Sequence, residues 1–257
     1  MKLSKMSLFA LMAVVFFSCK KKEDDPGTII TNTVGEVGFE FTNYAGNTEL
    51  VMNTGKYVNA NGDTFSVTKF NYYITNIRLK KSDGTYYGEN ESYHLVQGDV
   101  GASKHFHLES IPTGTYTEVS FTIGVDSARN TSGAQTGALD PSNGMFWTWS
   151  TGYIMAKMEG TSPKSPASDK TFQHHIGGFS GANNAVRTVT FNLTASPIVL
   201  ASGKESSVMV KADVLKWFSP NIINLATTNN IMMVNSASKS IADNYANMFS
   251  ISSVTNE

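Results

Sequence analysis

The sequence predicts an all-β protein, an antiparallel β-sandwich with long loops and a short C-terminal helix. Three observations carry this. Apolar residues recur at every second position in Val37–Phe41, Val119–Val125, Val189–Leu193 and Val208–Val214, the period of a half-buried strand. Asn61-Gly62 and Asp83-Gly84 stand between apolar runs, where those dipeptides form hairpin turns. Ser240–Phe249 is the best helix candidate, with Ile241, Tyr245 and Met248-Phe249 at helical spacing and Ser240 placed to cap it.

Taken in order, residues 1–18 form a processing segment. Lys2 and Lys5 supply a positive start, and Leu8–Phe17 is an apolar run of ten residues, too short to span a bilayer. Ser18-Cys19 resembles a bacterial lipobox, with Phe16 in place of the usual leucine. Cys19 is the only cysteine, so no disulfide forms within the chain, and acylation gives that thiol a role. The alternative is an ordinary secretory signal with an incidental cysteine. Lys20-Lys21-Lys22-Glu23-Asp24-Asp25-Pro26-Gly27 has nothing to bury, so residues 19–35 read as a lipidated tether. That run resembles the charged signal that sends Bacteroidetes lipoproteins to the cell surface. The expected product is an outer-membrane lipoprotein, cell-surface or periplasm-facing, held on the lipid bilayer by acylated Cys19. Beyond it, residues 36–257 read as one domain. Without the signal, 18 basic residues face 21 acidic ones, a balance that argues against nucleic acid as a partner.

Within the domain, Val37, Phe39 and Phe41 define a first strand, and Thr48–Asn53 suggests a short second one. Phe65–Lys81 is a long strand, followed by Tyr86-Tyr87 and Tyr93–Val96. Tyr116–Val125 alternates clearly. Asp126–Asn143 is a polar loop whose oxygens invite comparison with a calcium site but lack EF-hand spacing. Arg187–Leu193 and Ser207–Val214 complete the strands.

The chemistry-bearing residues concentrate in Gly137–Gly178. Two of the three tryptophans, Trp147 and Trp149, lie here with two of the five histidines, His174 and His175. On a strand, Met145, Trp147 and Trp149 share one face, and the adjacent histidines point to opposite faces. One reading is a core strand with a satisfied histidine. The other is a metal or redox pocket of imidazole beside indole. A second pair, His105 and His107, shares one strand face and is spaced to chelate an ion. The simpler reading there is an exposed polar face with Phe106 and Leu108 turned inward. Lys157 and Glu159 read as a surface pair. There is no Gly-rich phosphate loop, no Cys-His pair and no His-Glu-x-x-His, so the chain does not read as an enzyme.

Taken together, Gly124-Val-Asp126, Gly137-Ala-Leu-Asp-Pro141, Gly144-Met-Phe-Trp-Thr-Trp149, Gly152-Tyr153, Lys157-Met-Glu-Gly160 and Phe172-x-x-His175-Ile-Gly-Gly178 resemble the MbnP-like family of exported copper-binding proteins. Asn71–Asn76 and Ile241–Phe249 fit the same pattern. The resemblance implies a β-sandwich that binds copper through histidine, for uptake or sequestration. It places His175 first among the ligands, with His174 as a less central alternative. It makes Trp147 or Trp149 the pocket or oxidisable aromatic, converted in some relatives to kynurenine by a dihaem peroxidase-like partner. This chain departs from its relatives where they carry C-terminal histidines, reading Met232-Met233-Val234 and Ser253-Val254-Thr255. Valine, serine and threonine do not replace imidazole on copper. That departure favours a second reading, a metal-free surface module for glycan or protein, with Trp147, Trp149 or Trp217 as an aromatic platform.

Overall fold

In the computed structural model the described residues are 33–148 and 152–257, and Thr33–Glu257 forms one compact unit. The expected signal, Cys19, the tether as far as Asn32, and Trp149 lie outside the described residues. In chain order the strands are β1 (Val34–Ala45), β2 (Thr48–Glu49), β3 (Tyr57–Val58), β4 (Thr64–Lys81), β5 (Tyr86–Gly88), β6 (Tyr93–Gln97), β7 (His105–Pro112), β8 (Gly114–Ile123), β9 (Phe146–Trp147), β10 (Gly152–Thr161), β11 (Thr171–Gly177), β12 (Arg187–Asn192), β13 (Ile198–Leu200), β14 (Glu205–Asp213), β15 (Asn230–Ile231) and β16 (Phe249–Asn256). Two helices are present among these residues, α1 (Ser127–Asn130) and α2 (Ser236–Tyr245).

The strands make two sheets. The smaller runs β16-β14-β1-β2, with β7 on the other flank of β1. The larger runs β12-β8-β4-β10-β11-β15, with β13 on β8, β9 on β10, and β3, β5 and β6 on β4. Aromatic rings from both sheets meet between them. Phe41 of β1 and Phe249 of β16 meet Tyr72 of β4 and Phe121 of β8 at centroid separations of 5.3–6.2 Å, a spacing at which tilted and edge-on rings attract. The expected alternation holds. Val37, Phe39 and Phe41 are buried, as are Val208, Val210, Ala212 and Val214.

Two features differ from the sequence reading. The pairing is mainly antiparallel, but β1 runs parallel to β14, and β11 parallel to β15. β1 opens the domain and β14 nearly closes it, so no hairpin joins them and the long intervening chain acts as the crossover. The helix also starts and ends earlier than Ser240–Phe249. Asn235 caps it by accepting from the Ser238 amide at 2.9 Å, while Ser238 Oγ accepts from the Asn235 amide at 2.9 Å. This reciprocal box fixes the start a turn upstream. Ser240 sits inside the helix, its hydroxyl donating to Ser236 O, and Phe249 opens β16 opposite Ala212.

Candidate metal centre

The outward residues of β7, β1 and β14 form one patch on the smaller sheet. β1 lies between the other two, with Gly38 opposite His107 of β7 and Ser207 of β14. His105 and His107 point outward while Leu108 is buried and Phe106 packs against the core, as alternation requires. Glu205, at the start of β14, turns to the same face. Gly38 makes the convergence possible. A Cβ there would lie 2.5 Å from Glu205 Oε1, 3.6 Å from His105 Nε2 and 3.6 Å from His107 Cε1. The missing side chain is the floor of a small cradle that three donors overhang.

Ligand atoms of His105, His107 and Glu205 all lie within 4.8 Å of one another. The imidazoles are edge to face at 4.5 Å, and His107 Nδ1 stands 3.4 Å from Glu205 Oε1. Donors on one ion at about 2.0–2.2 Å stand no more than about 4 Å apart, so small side-chain rotations would close this group on a metal. Two imidazoles and a carboxylate suit zinc, nickel and above all divalent copper. Among the described residues this is the group of histidine and carboxylate side chains near enough to share an ion. It is a candidate metal-coordination site whose donor set is compatible with copper.

The structure places the other sequence candidates differently. His174 is fully buried on the core face of β11. Its Nδ1 accepts from Trp217 Nε1 at 3.1 Å, and its Nε2 donates to Thr228 O at 2.6 Å. Both nitrogens are engaged, which leaves no lone pair for a metal. Burial pushes the imidazole pKa down to about 4. His174 is a neutral core histidine that ties β11 to the Trp217 turn.

His175 faces the other way and is nearly buried. Its Nε2 lies 2.7 Å from Glu159 Oε1. The bond to His175 is the main reason the Glu159 carboxyl is held below its usual range. Glu159 therefore pairs with His175, not with Lys157 as a surface couple. Lys157 is the cross-strand neighbour of His175, and burial lowers its pKa.

Trp147 is buried and lies over Gly177, where a Cβ would come 2.3 Å from its Cζ3. Gly177 is two residues beyond His175, so imidazole and indole share one face of β11. Trp147 and Trp217 are 4% and 0% exposed, so neither offers an aromatic platform to a surface ligand. In the polar loop, Asp126 caps α1 by accepting from the Arg129 amide, and Asp140 accepts from the Ser142 amide. Those carboxylates hold turns rather than a calcium ion.

Glu205 and Gly38 were missed by the sequence reading. A signal existed for both. Glu205 has the parity of outward Ser207 and Met209, and Gly38 interrupts outward glutamates at Glu36 and Glu40. What the sequence withheld was the parallel pairing that lays β14 beside β1.

The fold is a two-sheet β domain with two imidazoles and a carboxylate gathered on an outer strand face. The chain belongs to the MbnP family, whose model matches residues 34–234. This is a family of metal-binding and transport proteins, not of catalysts. Among solved structures, MbnP from Methylosinus trichosporium is similar at a TM-score of 0.53 and 12% identity, over 79% of this chain and 82% of that one. At that identity the likeness concerns the fold. A comparison with curated proteins found no match. No helix among the described residues is long and apolar enough to cross a membrane.

Proposed function

We propose that this chain is an exported lipoprotein, anchored to the outer membrane through acylated Cys19, that binds copper for uptake or sequestration at His105, His107 and Glu205. The observation that carries the copper reading is the convergence of those three donors over the bare Cα of Gly38. An exposed site of this kind exchanges its ion readily, which suits capture from outside better than permanent storage. The lipobox-like Ser18-Cys19 supports the anchor, and the site's chemistry is the same for display on the cell surface or toward the periplasm.

His175 remains a second position within the same reading, favoured by its shared face with Trp147. A dihaem peroxidase-like partner belongs to that reading too. With its indole 4% exposed, Trp147 would have to be oxidised through the protein rather than by contact.

The test is copper titration of purified residues 20–257 by calorimetry. Wild type should bind about one equivalent of Cu(II) at a site built on His, His and Glu. His105→Ala/His107→Ala should abolish that uptake and His175→Ala should leave it largely intact. No uptake by wild type would sink the copper reading. Loss with His175→Ala alone would move the site to β11.

A further inference from the structure

Three protein donors leave a copper ion short of the four it commonly takes from its surroundings. One neighbouring group is placed to supply the next. Glu40 of β1 points outward on the same face as Gly38, directly opposite His105 in the β1–β7 register. Side chains so paired have Cβ atoms about 4.5–5.5 Å apart, well within reach of a glutamate. The two residues also line one cleft of about 410 Å³, together with Glu49 and Lys104.

The state of the Glu40 carboxylate matters more than its proximity. Glutamates elsewhere beside histidines are engaged. Glu89 binds His94 at 2.8 Å, Glu159 binds His175 at 2.7 Å, and Glu205 stands 3.4 Å from His107. The Glu40 side chain is exposed and makes no hydrogen bond or ion pair among the described residues. Turning it toward His105 breaks no existing contact and requires only a rotamer change at the surface.

Resting on the copper site proposed above, we infer that Glu40 closes on the bound ion as a fourth protein donor and makes the site selective for divalent over monovalent copper. Two neutral imidazoles and two carboxylates carry a charge that balances a divalent ion. Cu(I) is softer, takes fewer donors, and gains little from hard carboxylate oxygen. Glu40 is thus the residue that sets the oxidation state the site prefers. Ser207, the other cross-strand neighbour of Gly38, has no charge to offer, and Glu36 stands opposite Glu205 on the side away from His105, so Glu40 is the β1 carboxylate that faces an imidazole.

The experiment compares Glu40→Gln with wild type in residues 20–257, using Cu(II) alone and Cu(I) held by a competing chelator. Removing one carboxylate charge from beside a divalent ion at a water-exposed site should weaken Cu(II) binding about 10- to 30-fold. Cu(I) affinity should stay within about twofold, since the lost donor is one that Cu(I) does not favour. The Cu(II) paramagnetic resonance spectrum should shift as an oxygen ligand changes, a signature that a merely structural role for Glu40 would leave alone. Unchanged Cu(II) affinity and spectrum in Glu40→Gln would overturn the inference, as would an equal loss for both oxidation states. His105→Ala, run alongside, separates the two proposals. If it leaves copper binding intact, the underlying site is wrong. If it abolishes binding while Glu40→Gln does nothing, the site stands and the fourth donor falls.

Discussion

Gly38→Ala is the substitution that separates the site from the fold. The new Cβ would sit 2.5 Å from Glu205 Oε1, about 1 Å inside normal contact. The carboxylate is the far end of a flexible side chain, 35% exposed, so it moves aside into solvent rather than displacing a strand. The two histidines, 3.6 Å from the same point, keep ordinary contact. Gly38 is not among the positive-φ glycines, so alanine is compatible with its backbone. On the folding side the change costs little, and it gains about 0.4–1 kcal/mol by restricting the unfolded chain. On the binding side, driving Glu205 about 1 Å off an ion bonded at about 2 Å breaks that bond. The loss of one adjacent charge from a divalent ion at an exposed site is about 1–2 kcal/mol, about 5- to 30-fold in affinity. Calorimetric copper titration and thermal melting of the same preparation read both effects. The expected result is weaker copper binding with an unchanged or raised Tm. Unaltered copper affinity would refute the cradle. A Tm that falls together with the affinity would show that Gly38 serves the sheet and not the site.

Two further predictions concern the frame. His174 has a pKa of about 4 in the folded chain against 6.5 when unfolded. The unfolded state therefore binds its proton first, and the stability held by this group is complete above pH 6.5. It falls away as pH drops toward 4, by about 3 kcal/mol. Urea unfolding of wild type and His174→Gln between pH 7 and 4.5 measures it, and equal pH slopes would exclude His174 as the source. At Gly160, a Cβ would meet Ser66 O, a backbone atom of β4, at 1.9 Å, where the β10–β4 register shifts. Gly160→Ala should cost about 3 kcal/mol or more in chemical denaturation, and a loss below about 1 kcal/mol would mean that the sheet yields easily there.

The fold was legible because strand alternation is a local property. Val119 to Val125 and Val208 to Val214 show their buried face in the order of their residues. The helix was misplaced by a turn because its true cap, Asn235, precedes the apolar pattern that drew attention to Ser240. The site was half legible. His105 and His107 share a face by parity alone, but their third partner lies nearly a hundred residues away. Nothing local announces that β14 will lie parallel to β1. Gly38 looked like a weak residue in a strong strand, and only the pairing reveals it as a gap that side chains from both flanks overhang. His175 and Trp147 do come to one face of β11, joined through Gly177, but the carboxylate that engages His175 was read as the partner of Lys157.

The two histidine sites differ in what a cation would meet on arrival. At His175 the carboxylate of Glu159 is already engaged, and Lys157 lies directly across the strand. That lysine is pinned under the polar loop, donating to Gly144 O, while Tyr73 and Tyr153 donate to Ala138 O and Leu139 O of the same loop. The loop thus covers this face, and a metal entering it must displace the His175–Glu159 hydrogen bond beside a half-buried ammonium. On the smaller sheet the order is reversed. The imidazoles are exposed, and Glu36, Glu109 and Glu205 line a second cleft of about 430 Å³ on the far side of the cradle from Glu40. Carboxylates on both sides raise the local concentration of cations and speed their arrival. For a protein that takes an ion from its surroundings, the open acidic face is the better entrance. Of the two faces, only the smaller sheet's presents imidazoles that a cation reaches without first parting a covered hydrogen-bonded pair.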